Sequence, residues 1–116
     1  MEIQSLDKSA LDRAIAEESA VMVEFYTESC PFCKSLERIF QGLAADRTEQ
    51  AVFGKVNLGQ EPSLAKRYGI RSVPTVILFV DGVLADRRVG AVSRGTLEEM
   101  LKKIDSNGTP TQKKTE

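Results

Sequence analysis

Val21-Met22-Val23-Glu24-Phe25-Tyr26-Thr27-Glu28-Ser29-Cys30-Pro31-Phe32-Cys33-Lys34 changes its apolar periodicity midway, and the change marks a strand running into a helix. Residues 21–26 form a β-prone run whose apolar content suits a strand buried on both faces. From Cys33 onward the apolar residues fall at Leu36, Ile39, Phe40, Leu43 and Ala44, the spacing of a helix with one buried stripe, which extends to about Asp46. Cys33 belongs to that stripe. Cys30 sits just ahead of it, where backbone N–H groups lack intrahelical partners and the helix dipole is positive. A thiolate is favoured there, which makes Cys30 the expected exposed nucleophile. Side chains three apart on a helix can meet, so the two sulfurs can close a short disulfide, with buried Cys33 as the resolving partner.

These are the only two cysteines of the chain, and there is no histidine. As a structural staple the pair would close too small a ring to remove much chain entropy. A closed zinc site needs four ligands, so one chain could supply only half of it, leaving a metal or cluster shared between two chains as the metal alternative. Redox chemistry fits the spacing best.

The surrounding sequence places this unit in an α/β domain. Leu11, Ala14 and Ile15 mark a short helix with Asp7 or Ser9 as its N-cap. Residues 51–58 form a second strand, and Pro62 starts and Gly69 stops a short helix. Residues 75–80 form a third strand, and Asp81-Gly82 is a hairpin turn leading back through Val83 to Val89. A last helix starts near Ser93 or Thr96 with Leu97, Met100, Leu101 and Ile104 on its apolar face; Glu98 and Glu99 near its start and Lys102 and Lys103 near its end complement the dipole. With residues 2–6 as a first edge strand, the order β-α-β-α-β-α-β-β-α implies a central mixed sheet of about five strands with helices on both faces.

The 116 residues, 41% hydrophobic, fit one domain over 1–105. Residues 106–116 read as a flexible polar tail. A net charge of −1 supplies no basic field for nucleic acid, and no apolar run is long enough to span a membrane. Met1-Glu2-Ile3-Gln4-Ser5 has neither the basic nor the apolar region of a signal peptide, so a cytoplasmic monomer is expected. In a reducing compartment a lone Cys-x-x-Cys is catalytic rather than structural.

The chain resembles the thioredoxin family over nearly all of residues 1–105. Val23-Glu24-Phe25-Tyr26 through Cys30, with Cys33-Lys34, is similar to that family's strand and active-site helix; Lys55-Val56-Asn57 matches its next strand. Tyr68-Gly69-Ile70-Arg71-Ser72-Val73-Pro74-Thr75 resembles the segment that carries a cis-proline loop, and Val89-Gly90-Ala91 the turn beyond the hairpin. The resemblance implies a thioredoxin fold and a protein-disulfide reductase in which Cys30 attacks and Cys33 resolves. Protein disulfides would be its substrates and a thioredoxin-reductase-like flavoprotein its electron donor. The cysteines carry the electrons, so no cofactor is expected. It further implies a cis bond before Pro74, a Val73 backbone open to an extended substrate, and room for that substrate at Gly90. Phe32 should point outward beside Cys30 as an apolar contact.

Glu24 admits two readings. As a residue of an alternating strand it would face solvent; in the place where the family carries a buried aspartate it would lie beneath Cys33 and move that thiol's proton, with Lys55 as its ion-pair partner. Other departures are Ser29 in place of Trp, Pro31-Phe32 in place of Gly-Pro, and Arg38 where the family has a helix-kinking proline, so this helix should run straighter. Cys-Pro-aromatic-Cys is similar to the glutaredoxin motif. A glutathione-dependent reductase is therefore one alternative, and a binding module with incidental cysteines another.

The Pro31-Phe32 pair generates a first prediction. It alters the N–H donors and packing around Cys30, and a shift of about 30 mV needs only about 1.4 kcal/mol. The couple is expected to be less reducing than the thioredoxin reference of about −270 mV. Equilibration against a glutathione buffer measures it, and a value at or below that reference would assign control of the couple to the rest of the scaffold.

Overall fold

A computed structural model of the chain describes residues 3–104. The expected tail at 106–116 lies outside the described residues. The elements are β1 (Ile3–Ser5), α1 (Lys8–Glu17), β2 (Ala20–Tyr26), α2 (Pro31–Asp46), β3 (Val52–Asn57), α3 (Pro62–Tyr68), β4 (Thr75–Val80), β5 (Val83–Val89) and α4 (Arg94–Leu101). They follow the order and type read from the sequence.

The strands form one open sheet in the order β1-β3-β2-β4-β5. β1, β3 and β2 run parallel, whereas β4 is antiparallel to both β2 and β5. β2 is the middle strand, and alternation divides its residues between two cores. Ala20 and Met22 pack with Leu36, Phe40 and Leu43 of α2 and with Leu97 and Met100 of α4. Val21, Val23 and Phe25 pack with Leu11 of α1 and Leu64 of α3. Edge-on aromatic pairs lie in both layers: Phe40 with Phe53 on the first face and Tyr68 with Phe79 on the second.

Local signals set the boundaries. Asp7 caps α1 by accepting from the Ala10 N–H at 2.8 Å. Gly69 ends α3 at φ 65°, a left-handed conformation that favours glycine. Beyond that cap, Arg87 of β5 donates to the carbonyls of Tyr68 and Gly69, so the hairpin closes the open end of α3. Asp81 and Gly82 both have positive φ, the turn geometry that matches a tight hairpin. One irregularity follows, between Leu78 and Phe79, where the β4–β5 register shifts.

Two expectations are corrected. α4 begins one residue after Ser93, whose hydroxyl accepts from the Thr96 N–H, so Glu98 and Glu99 lie beyond the first turn and Lys102 is already the C-cap. The two acids therefore do not complement the start of the dipole, whereas Lys102 and Lys103, at and just past the cap, stand where cations complement its end. Glu98 instead accepts from Arg47 at 3.1 Å and Arg94 at 3.0 Å, while Arg94 also reaches Asp46 at 2.7 Å, joining α4 to the end of α2. The second concerns strand ends: β1 stops at Ser5 rather than Leu6, and β3 covers Val52–Asn57 rather than 51–58, although the Leu6 N–H still bonds the Lys55 carbonyl at 2.9 Å. α2 continues through Arg38 without a break. Among the described residues no helix is long and apolar enough to cross a membrane.

Gly54 in β3 explains one tight approach. A Cβ there would meet Leu6 Cδ1 at 2.5 Å and the Gln4 carbonyl oxygen at 3.3 Å. Gly54→Ala is therefore expected to cost about 1–3 kcal/mol, the range for overpacking a filled core. Urea unfolding of Gly54→Ala, Leu6→Ala and the double variant tests the cause. The double variant should lose less than the sum of the two single losses, whereas additive losses would place the cost in the β3 backbone.

Candidate active site

The site is assembled at one end of the sheet by the strand directions. β2 ends at Tyr26, and residues 27–30 carry the chain into α2. β4 starts beside that end, with Thr75 opposite Phe25, and β5 finishes there, with Val89 opposite Thr75. The cysteine segment, the Val73-Pro74 turn and Gly90 therefore lie at the same end of the sheet.

Cys30 is the N-cap of α2 and Pro31 its first helical residue. Proline has no N–H to offer, and the free donor that reaches the sulfur belongs to Cys33, whose N–H lies 3.2 Å from Cys30 Sγ. The two residues are joined as a disulfide with Cα atoms 5.4 Å apart. Cys33 is buried at 4% exposure, as its place on the apolar stripe requires. Cys30 is not the exposed residue expected: only 8% of it is accessible in this oxidised form, where its sulfur is tied to Cys33 and serves as the helix cap. Both sulfurs border a cleft of about 290 Å³ lined also by Tyr26, Thr27, Glu28, Lys34 and Glu37. Phe32 is 63% exposed beside them.

The Val73-Pro74 peptide bond is cis, and Pro74 is buried. Thr75 Oγ1 donates to the Ser72 carbonyl at 2.8 Å, and the Gly90 N–H donates to the Pro74 carbonyl at 2.8 Å. These bonds fix the turn on both sides. Among the described residues none hydrogen-bonds the Val73 backbone. Gly90 has φ 97°, which requires glycine, and the space where a Cβ would stand is open.

Glu24 does not face solvent. It lies in the middle strand on the face covered by α2 and is 1% exposed. Its Oε1 is buried without a hydrogen-bond partner among the described residues. Burial pushes its carboxyl up to about 7; Glu37 adds to the rise and Lys55 opposes it. The expected Glu24–Lys55 ion pair is not formed. Lys55 is the register neighbour of Glu24 on β3, but its Nζ donates to Glu37 Oε2 at 2.8 Å and lies 5.7 Å from the centre of the Tyr26 ring. The hydrogen bond to Glu37 is the main reason that Lys55 holds its proton more tightly than usual.

Glu37 and Tyr26 are the residues that sequence reading overlooked. Glu37 follows Cys33 by four positions, one helical turn, so it stands at the edge of the buried stripe and above the same strand. That spacing was the available signal.

Comparison with known proteins agrees with this geometry. The thioredoxin family model matches residues 2–103. A thioredoxin of Mycoplasmoides gallisepticum is 40% identical over 96 residues, covering 83% of this chain and 95% of its own length. One from Chlorobaculum thiosulfatiphilum is 32% identical over 104 residues, covering 90% and 94%. The solved structure of a thioredoxin variant from Halobacterium salinarum is similar with a TM-score of 0.80 at 29% identity, over 87% of this chain and 88% of that one. Five strands in this order, a cysteine pair bonded at the start of α2 and likeness along almost the whole length carry one conclusion: the chain belongs to the thioredoxin family and is a thiol–disulfide oxidoreductase that reduces protein disulfides.

Proposed function

We propose that catalysis divides between the two cysteines, with Cys30 attacking, Cys33 resolving and Glu24 carrying the proton of Cys33. The observation that supports this most is the placement of the pair: Cys30 caps α2, and Cys33 is one turn inward on the face that covers Glu24. In the reduced protein the helix N-terminus favours the Cys30 thiolate. That thiolate attacks one sulfur of a substrate disulfide. The substrate S–S bond breaks, the second substrate sulfur leaves as a thiolate, and a mixed disulfide links Cys30 to the substrate. Cys33 then passes its proton to the Glu24 carboxylate and attacks Cys30 Sγ, expelling the remaining substrate sulfur. The substrate has gained two electrons, and Cys30–Cys33 is oxidised.

Substrate chains are held in extended form. The Val73 backbone is available for strand-like pairing, the open space at Gly90 accommodates the chain, and exposed Phe32 supplies an apolar contact. A flavoprotein of the thioredoxin-reductase type returns the electrons. Use of both cysteines as a redox pair is the use favoured in a reducing compartment, and the cytoplasm is where this reading places the chain.

Trapping tests the division of roles. Cys33→Ser is expected to accumulate a mixed disulfide with substrate, whereas Cys30→Ser should form none. Glu24→Gln, with both cysteines present, should slow release of substrate from the mixed disulfide by about 100-fold, the low end of the usual range for a lost proton carrier, and leave the first attack nearly unchanged. Equal trapping by both serine variants would remove the asymmetry.

The buried carboxyl also generates a stability prediction. Its folded value of about 7 stands above its ordinary value of 4.5. Between those pH values the folded chain keeps a proton that the unfolded chain has released, so stability falls as pH rises through that window. At pH 8 the full penalty is about 3 kcal/mol. Glu24→Gln abolishes this dependence, so its stability relative to the parent should rise between pH 4 and pH 8. Urea unfolding of both proteins at the two pH values measures the difference, and a constant difference would contradict the raised carboxyl.

A further inference from the structure

Glu24 and Lys55 are neighbours across two parallel strands, and their side chains emerge on the same face. Strand spacing alone would let the ammonium serve as counter-ion to the carboxylate. It does not. Lys55 Nζ is drawn toward the helix, 2.8 Å from Glu37 Oε2 and over the ring of Tyr26, while Glu24 Oε1 stays buried and unpartnered among the described residues. The Lys55–Glu37 pair is only partly exposed, with 26% and 33% of the two side chains accessible. Lys55 faces one cleft and Glu37 the cleft beside the cysteines, so the pair closes the gap between β3 and α2.

We propose that Glu37 is a positioning residue of the active site: by holding the Lys55 ammonium against α2 it denies Glu24 its counter-ion, and so sets how readily Glu24 accepts the Cys33 proton. The inference rests on the proton role proposed for Glu24 and adds the residue that controls it.

The other groups around Glu24 leave this control to Glu37 and Lys55. From its own strand it faces Tyr26, and from α2 Cys33 and Cys30, which carry no charge as a disulfide. On β4 its register partner is Val76. On β5, Arg88 stands opposite Val76 but is bound to Asp86 at 2.9 Å, and Asp86 also lies 3.7 Å from Lys103. Arg94 and Glu98 of α4 engage the far end of α2, and Glu99 pairs with Lys102. Glu37 and Lys55 act on the carboxyl in opposite directions, upward and downward respectively.

That opposition supplies the test. The Glu24 side-chain carboxyl is followed by carbon NMR across pH in the oxidised protein, where the cysteines do not titrate, and the pH profile of substrate release from the mixed disulfide is measured in parallel. Glu37→Gln is expected to move the Glu24 titration about 1 pH unit toward acid, because a negative neighbour is removed and a positive one is freed. Glu37→Ala, which removes the acceptor as well as the charge, should move it at least as far. Lys55→Met should move it toward alkali. Each variant breaks the same ion pair, so a merely structural cross-link would send all three the same way or leave the titration where it is. A Glu24 titration that stays put or moves toward alkali in Glu37→Gln overturns the proposal. If the titration moves as expected while the release profile does not, the hold on Lys55 stands and the proton role of Glu24 falls.

Discussion

β2 has no side open to water. It is hydrogen-bonded to β3 on one edge and β4 on the other, and helices cover both of its faces. Alternate residues must therefore enter one core or the other, and Glu24 has no third choice. The same constraint positions the chemistry. A middle strand that ends at Tyr26 delivers the next helix to the end of the sheet, and α2 can bury its apolar stripe only by lying back over that strand. Cys33, on the stripe, is carried inward, and Cys30, before it, becomes the cap.

The energetics of the polar residues under α2 run against stability. A half-exposed ion pair such as Lys55–Glu37 is worth about 0.2–1 kcal/mol. An ionised Glu24 costs several times as much, because nothing within bonding reach compensates its lost hydration. Pairing Lys55 with Glu24 would relieve the larger penalty, yet the lysine is committed to the smaller interaction. A fold selected only for stability would place an apolar residue at position 24. What the arrangement provides is a carboxyl that changes protonation state near neutrality although it is buried, a property that a solvent-exposed glutamate lacks.

Much of this was legible in the sequence because it rests on short-range signals. Periodicity gave β2 and α2, proline and glycine bounded α3, and Asp81-Gly82 marked the hairpin. The cysteine pair was visible from spacing and from its place at a helix start. What was hidden depends on register and helical phase between segments distant in sequence. Glu24 could be read as solvent-facing until β2 was known to be central and covered. The partner of Lys55 was misassigned from the resemblance: strand register does set it beside Glu24, but the turn of α2 brings Glu37 within 2.8 Å. Cys30 was expected at the surface because its position outside the helix says nothing of where its sulfur turns once bonded. Glu98 and Glu99 looked like first-turn acids because the apolar pattern does not reveal that Ser93 is the cap, five and six residues earlier.

The bonds from Arg87 to the end of α3 bear on recognition as well as on folding. The segment between Gly69 and Pro74 is held at its start by that guanidinium and by the Ile70 N–H on Ala65 at 2.8 Å, and at its finish by the Gly90 N–H on Pro74. Two of these three restraints come from the β5 strand and the glycine that ends it. Ordering a free backbone costs about 1–2 kcal/mol per residue, and here that loss falls on folding rather than on docking. A peptide docking at Val73, as proposed, would meet an edge already held in place, and its affinity would be set by the contacts it makes rather than by the loop it would otherwise have to tame.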